Sequence, residues 1–178
     1  MIFMEVLSNG NVILENVTIK YPNFSGRATD HNTLGARNFC VILSQEAADY
    51  LSSINCNVKM SKRRDDDPDY VPDLFVKVNV NYRDKKSGMP LTRPPKIYFI
   101  NSKGKFLLSE ETIKLLDEKR IISADIELNP WKTTNRMTGA PTTSLYVKEL
   151  VATLEESYLD RKYADYDGPS IDLPFEPD

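Results

Sequence analysis

Residues 74–82, LFVKVNVNY, alternate without a break: Leu74, Val76, Val78, Val80 and Tyr82 fall on one face, and Phe75, Lys77, Asn79 and Asn81 on the other. A period of two is what a strand imposes on its side chains, and the β-branched valines suit a pleated, half-buried surface. The stretch therefore predicts a strand with one face in a core. Its other face is either wet or covered by a ligand.

Working outward, most of the chain reads the same way. Residues 11–21 alternate from Asn16 onward, with Val17, Ile19 and Tyr21 on one face, and Pro22 is expected to end that strand. Phe39, Cys40, Val41, Ile42 and Leu43 form a short continuous apolar run, which predicts a strand buried on both sides with Cys40 as a buried thiol. Ser44 then caps a short helix carrying Ala47, Ala48, Leu51 and Ile54. Further strands are expected at 96–100, 121–128 and 145–154, with a second short helix at 109–117 and a long loop, NPWKTTNRMTGAPTTS, at 129–144. SKGK at 102–105 reads as a turn before Phe106, and 158–163 is expected to lie on the body.

Five or six strands, two short helices and long excursions between strands suit an OB-like Greek-key barrel, mainly β; an immunoglobulin-like sandwich is the alternative. The 178 residues suit a single domain with one core. Cys40 and Cys56 differ too much in setting to suggest a disulfide framework, and CxxC zinc spacing is absent, so a reducing cytoplasm is expected. No leader pattern and no membrane-length apolar run is seen, so the expectation is a soluble cytoplasmic protein with no membrane partner.

Charge divides the chain. Lys and Arg number 23 and Asp and Glu 26, yet five of those acids fall in the last fifteen residues, ADYDGPSIDLPFEPD, which hold no base. The reading is thus a mildly basic domain at 1–163 and a flexible acidic tail at 164–178. Within the tail, Ile171, Asp172, Leu173, Pro174 and Phe175 mix apolar groups with acid, as a peptide does that docks in a pocket rimmed by cations.

The middle of the body is basic. Arg83, Lys85, Lys86, Arg93, Lys96, Lys103 and Lys105 face a single acid, Asp84, between residues 83 and 105, and Tyr82, Tyr98, Phe99 and Phe106 interleave with them. Cations beside flat rings suit phosphates beside unstacked bases. Two other segments repeat the pairing: Lys20, Tyr21, Phe24, Arg27 and Arg37 around one loop, and Trp131, Lys132 and Arg136 in another. In an OB barrel these loops flank the nucleic-acid face. The expected binding set is Lys20, Tyr21, Phe24, Arg27, Arg37, Tyr82, Arg83, Lys85, Lys86, Arg93, Lys96, Tyr98, Trp131, Lys132 and Arg136, with Tyr82, Tyr98, Trp131, Tyr21 and Phe24 as the stacking rings.

Catalysis finds little support. His31 is the only histidine and stands in a polar loop without a triad partner. Asp65, Asp66, Asp67 and Asp69 diverge in a Pro-broken loop beside Lys62, Arg63 and Arg64, so no metal site, no cofactor and no enzyme activity are expected. A protein-interaction module without nucleic-acid contact is the competing reading, and a nuclease using the Asp loop a weaker one.

The stretches TIKYPNFSG, RNFCVIL, PDYVPDLFVKVNV, PPKIYFI and VKELVATLEE resemble bacteriophage single-stranded-DNA-binding proteins of the OB type, over most of residues 12 to 163. Asp172 to Phe175 resemble the acidic tip of bacterial single-stranded-DNA-binding proteins, which ends Asp, Ile, Pro, Phe; here Glu176, Pro177 and Asp178 come after. The resemblance implies an OB fold, sequence-independent binding of single-stranded DNA, and a homodimer. It also implies replication or recombination proteins as partners of the tail, in a host-cell cytoplasm.

Overall fold

The computed structural model describes residues 3–164. Its elements are β1 (Phe3–Val6), β2 (Val12–Val17), β3 (Ile19–Asn23), β4 (Arg37–Leu43), α1 (Gln45–Ser53), β5 (Lys59–Met60), β6 (Leu74–Val80), β7 (Lys96–Asn101), β8 (Gly104–Leu108), α2 (Leu115–Glu118), β9 (Ile121–Thr134), β10 (Pro141–Leu154) and α3 (Tyr158–Lys162). The acidic tail and the residues Ile171, Asp172, Leu173, Pro174 and Phe175 lie outside the described residues.

Strands β2 and β3 are one chain segment interrupted only at Thr18. The first half pairs antiparallel with β9, Val17 opposite Ala124. The second pairs antiparallel with β4, Ile19 opposite Val41, and the Ile42 N–H donates to the Thr18 carbonyl at 3.0 Å. From β4 the ladder runs to β6, β10 and β9 and so returns to β2. The β6–β10 contact is parallel and narrow, with Tyr146 opposite Asn79. This ring is the partly open, mainly β OB-like barrel expected from the sequence.

The bend in β2–β3 comes from two irregularities. Pairing slips between Leu14 and Val17 and again between Lys20 and Asn23, and the residues at the slips, Asn16 and Tyr21, have positive φ of 57° and 51°. Each bulge adds a residue and turns the side chains beyond it to the other face. The simple alternation read for 11–21 therefore fails: Val17 is buried, but Tyr21 is 65% exposed. Pro22 does not end the strand, because a bulged segment tolerates the missing N–H.

Other differences arise from packing. Strand β4 alternates rather than being buried on both sides: Phe39, Val41 and Leu43 are buried, whereas Cys40 and Ile42 are half-buried. The thiols are accordingly reversed, with Cys56 the buried one, its pKa pushed up to about 11 by burial. Ser44 caps α1 as expected, its Oγ accepting the Ala47 N–H at 3.2 Å, and Ala47, Ala48 and Leu51 enter the core. The expected helix at 109–117 shortens to one turn. Leu115, Leu116 and Asp117 donate to carbonyls three residues back, and the Asp117 carboxylate accepts the Phe24 and Ser25 N–H groups, each at 2.8 Å.

The largest departure is at 129–144, where the sequence predicts a loop. It is a two-stranded arm: β9 and β10 pair continuously from Val147 opposite Leu128 to Pro141 opposite Thr134. Asn135 and Gly139 close its tip, the Gly139 N–H donating to the Asn135 carbonyl at 2.8 Å with φ of 70°. Prolines 130 and 141 are tolerated where an arm leaving the barrel has free edges. Strand β8, also unforeseen, pairs with β7 around the expected 102–105 turn. Helix α3 carries a Ser157–Asp160 capping box, and its Tyr158 and Leu159 side chains, with the following Tyr163, are exposed.

Phe24, expected to stack on bases, is 0% exposed and stacks on Phe39 with ring centroids 5.1 Å apart. Its replacement acts on stability. Phe24→Ala is expected to cost about 3–5 kcal/mol, read as a lower urea midpoint with an unchanged slope.

Candidate nucleic-acid interface

At Lys148 the β10 register slips by one: Val147 opposes Leu128, and Glu149 opposes Glu127. Before the bulge β10 neighbours β6; after it β10 neighbours β7, Glu149 lying opposite Lys96. Two strands that part company leave a furrow between them. The segment 81–95, which connects β6 to β7, overhangs it, and the base of the β9–β10 arm forms the other wall. The result is an open groove of about 1160 Å³.

Six cations line this groove, Arg83, Lys85, Lys86, Arg93, Lys96 and Lys148, against three acids, Asp84, Glu110 and Glu149. Trp131, 60% exposed, and Tyr146 supply ring surface. Lys85 Nζ lies 5.7 Å from the Tyr146 ring centroid and 3.5 Å from its hydroxyl. Asn79 and Asn129 are the cross-strand partners of Tyr146 on β6 and β9, and the Asn79 side chain donates to the Leu145 carbonyl at 3.2 Å.

The overhanging segment is shaped by one carboxylate. Asp84 Oδ1 accepts the N–H groups of Lys86 and Ser87 at 2.8 and 2.9 Å, and backbone bonds link Asp84 with Met89 and Leu91 with Tyr82. These N–H donors hold the Asp84 carboxyl below its ordinary pKa. The same turn leaves Lys85 and Lys86 exposed. Asp84 is thus a scaffold for the two lysines, although it subtracts from their charge.

The structure gathers some expected residues and separates others. Tyr82, Arg83, Lys85, Lys86, Arg93, Lys96 and Trp131 meet at the groove. Tyr82 is only 8% exposed, however, and burial pushes its phenol up to about 12, so it offers no ring face for stacking. Lys132 and Arg136 are exposed farther out on the arm. Tyr98 lies on the β7–β8 hairpin with Lys105 Nζ 4.1 Å over its ring and does not line the groove. Arg27 is exposed in the loop between β3 and β4, where Asn23 bonds both its N–H and its carbonyl. Arg37 is half-buried against Glu110 and Tyr82.

Lys20 and Tyr21 form a second patch. Lys20 pairs with Asp73 at 3.0 Å, which raises its pKa, and the Tyr21 ring meets Phe75 edge-on at 6.4 Å. Phe75 shares the outer face of β6 with Lys77 and Asn79, the same face that leads to Asn81 in the groove. The six residue steps from Phe75 to Asn81 span about 20 Å. The Tyr21–Phe75 patch and the groove thus lie at opposite ends of the same face of β6.

Sequence reading missed Tyr146 and Lys148. The signal was present, since Leu145 and Val147 face the core and leave Tyr146 on the wet face between them. Among the described residues no group of three His, Cys, Asp or Glu side chains is placed to hold a metal ion, and no helix is long and apolar enough to cross a membrane.

The family model described as "Putative phage ssDNA-binding domain" matches residues 4–174. No curated protein sequence matches the chain. Among solved structures, the single-stranded DNA-binding protein of bacteriophage Enc34 in complex with ssDNA is similar with a TM-score of 0.54 at 8% identity, over 86% of this chain and 92% of that one. A C-terminal truncation of the Enc34 protein gives 0.51 at 10% identity, over 86% and 91%. The single-stranded DNA-binding protein encoded by bacteriophage T7 gives 0.45 at 9% identity, over 96% of each chain.

The Asp84 turn is open to a direct check. In an NMR titration the Lys86 and Ser87 amide protons should shift with a midpoint below the ordinary carboxyl value of 3.8. Because the folded pKa is depressed, the turn's stabilisation is complete above the unfolded value and is lost as pH falls through the folded one. Asp84→Asn should abolish that titration step.

Proposed function

This chain belongs to the phage single-stranded-DNA-binding domain family, and from that premise we propose that it coats single-stranded DNA without sequence preference during phage replication, recombination or repair. The observation that carries the proposal is the groove in which six cations surround Trp131 and Tyr146. A phosphodiester backbone needs a cation every few ångströms, and unpaired bases need flat apolar partners. Duplex DNA keeps its base faces stacked and could use only the cations.

In this reading Lys85, Lys86, Arg93 and Lys96 neutralise successive phosphates, and Trp131 and Tyr146 stack on bases. The strand then runs along the outer face of β6, past Lys77 and Asn79, to Tyr21 and Phe75. Lys132 and Arg136 meet its flanks on the arm, and Arg27 from the loop opposite. The Enc34 protein, similar in fold, is described in complex with ssDNA. The chemistry is binding rather than catalysis.

The tail belongs to the same proposal. Residues 1–163 act as the DNA-binding domain, and 164–178 as an acidic arm whose Ile171, Asp172, Leu173, Pro174 and Phe175 dock on replication or recombination proteins. A homodimer and a place of action in the host-cell cytoplasm complete the reading.

Titration with oligothymidylate should quench Trp131, the single tryptophan of the chain. With four to six phosphates neutralised, log K should fall against log salt with a slope of about −3 to −4. Trp131→Ala should cost about 1–3 kcal/mol of binding, measured by anisotropy of a labelled oligonucleotide. A chain that leaves both signals unchanged at low salt is not a single-strand-binding protein.

A further inference from the structure

Resting on the reading of the groove as a single-strand site, we infer that Glu110 occupies a phosphodiester subsite in the free protein and must be displaced when DNA binds. Its Oε1 stands 3.1 Å from Arg83 Nε and 3.6 Å from an Arg37 terminal nitrogen, so one carboxylate oxygen is shared by two guanidinium groups. Guanidinium groups bind phosphate through planar forks of N–H donors, and here two of them converge on one anionic oxygen. Glu110 itself lines the groove, beside Arg83 and Tyr82. The carboxylate therefore sits where a phosphate of the bound strand would.

The arginines are incompletely served by it. The Arg37 side chain is 19% exposed, its Nε is buried with no hydrogen-bond partner, and its contact with Glu110 is longer than a hydrogen bond. The guanidinium lies 5.7 Å from the ring centroid of Tyr82, and Tyr82 and Glu110, its two neighbours, both line the groove. A buried donor left unpaired is costly. A phosphate, with more acceptor oxygens than Glu110 presents, can bond both arginines at once.

Displacement is easy on the other side. Glu110 opens the turn at 109–114, whose bonds run between Ser109, Thr112 and Ile113 and do not use the Glu110 side chain. Its neighbour Glu111 is exposed and also feels Arg83 and Arg37. Swinging Glu110 toward solvent frees both guanidiniums without opening the core. The pair thus acts as a latch that screens the arginines from stray anions and yields to a polyanion held by the other groove cations.

The test uses the full chain and oligothymidylate, with Trp131 quenching as the readout. Glu110→Gln should tighten binding about tenfold at 0.1 M salt, because no ion pair has to be broken. Glu111→Gln removes the same charge one residue away and should change affinity by about twofold or less. Equal gains in the two variants would reduce the effect to general charge and overturn the latch; so would unchanged or weaker binding by a folded Glu110→Gln. Should that variant not fold, the arginine Nε–H NMR signals of the unaltered protein decide. Those of Arg37 and Arg83 should move as DNA is added, and signals that stay in place while Trp131 is quenched would refute the exchange. Absence of quenching in the unaltered protein would instead defeat the DNA-binding reading.

Discussion

One bent strand holds the barrel together. Because β2 and β3 are a single segment, its first half can bond to β9 and its second to β4, and the ladder closes through Val17, Thr18 and Ile19. The bend requires two residues in left-handed backbone, Asn16 and Tyr21, neither of them glycine. Asparagine adopts that conformation readily; tyrosine does not, and it is held there by the pairing on either side. The Asn16 N–H is taken by the Asp125 carboxylate of β9 at 2.8 Å, which anchors the bend to the strand it faces.

Once the ring is closed, the groove results from a second irregularity. The Lys148 bulge lets β10 leave β6 and take up β7 as its neighbour, so the barrel wall opens where the chain is most basic. Several of the cations have a counter-charge or acceptor that offsets their mutual repulsion. Lys148 bonds Glu127 at 3.0 Å, Arg83 bonds Glu110, and Lys85 leans on Tyr146. Exposed pairs of this kind add little to stability. Their effect is to hold long side chains in place along the groove.

Particular residues show how far local pattern reaches. Strand β6 is legible because nothing interrupts its alternation, and the Ser44 cap because its signal spans four residues. Strand β3 is hard to read because a bulge leaves no mark in a hydropathy pattern other than a broken period. The arm at 129–144 is hidden because Thr-rich, Pro-containing sequence looks like loop unless the partner strand is known. Phe24 shows the same limit for the site: aromatic beside cation is equally the pattern of a core ring next to a surface turn. Asp117, far along the chain, binds its backbone N–H and helps draw it inward.

The residue order alone therefore determined the β class, the basic middle, the acidic end and the chemistry of the ligand, since alternation, charge and ring content are properties of short windows. Which rings face solvent, which cations share a wall, and that Glu110 stands between two arginines were decided only by the fold. Those relations join residues far apart in the chain, such as Arg37 and Glu110, and they depend on a register that bulges in β2–β3 and β10 reset. A one-residue slip turns every subsequent side chain to the opposite face, and no local window records it.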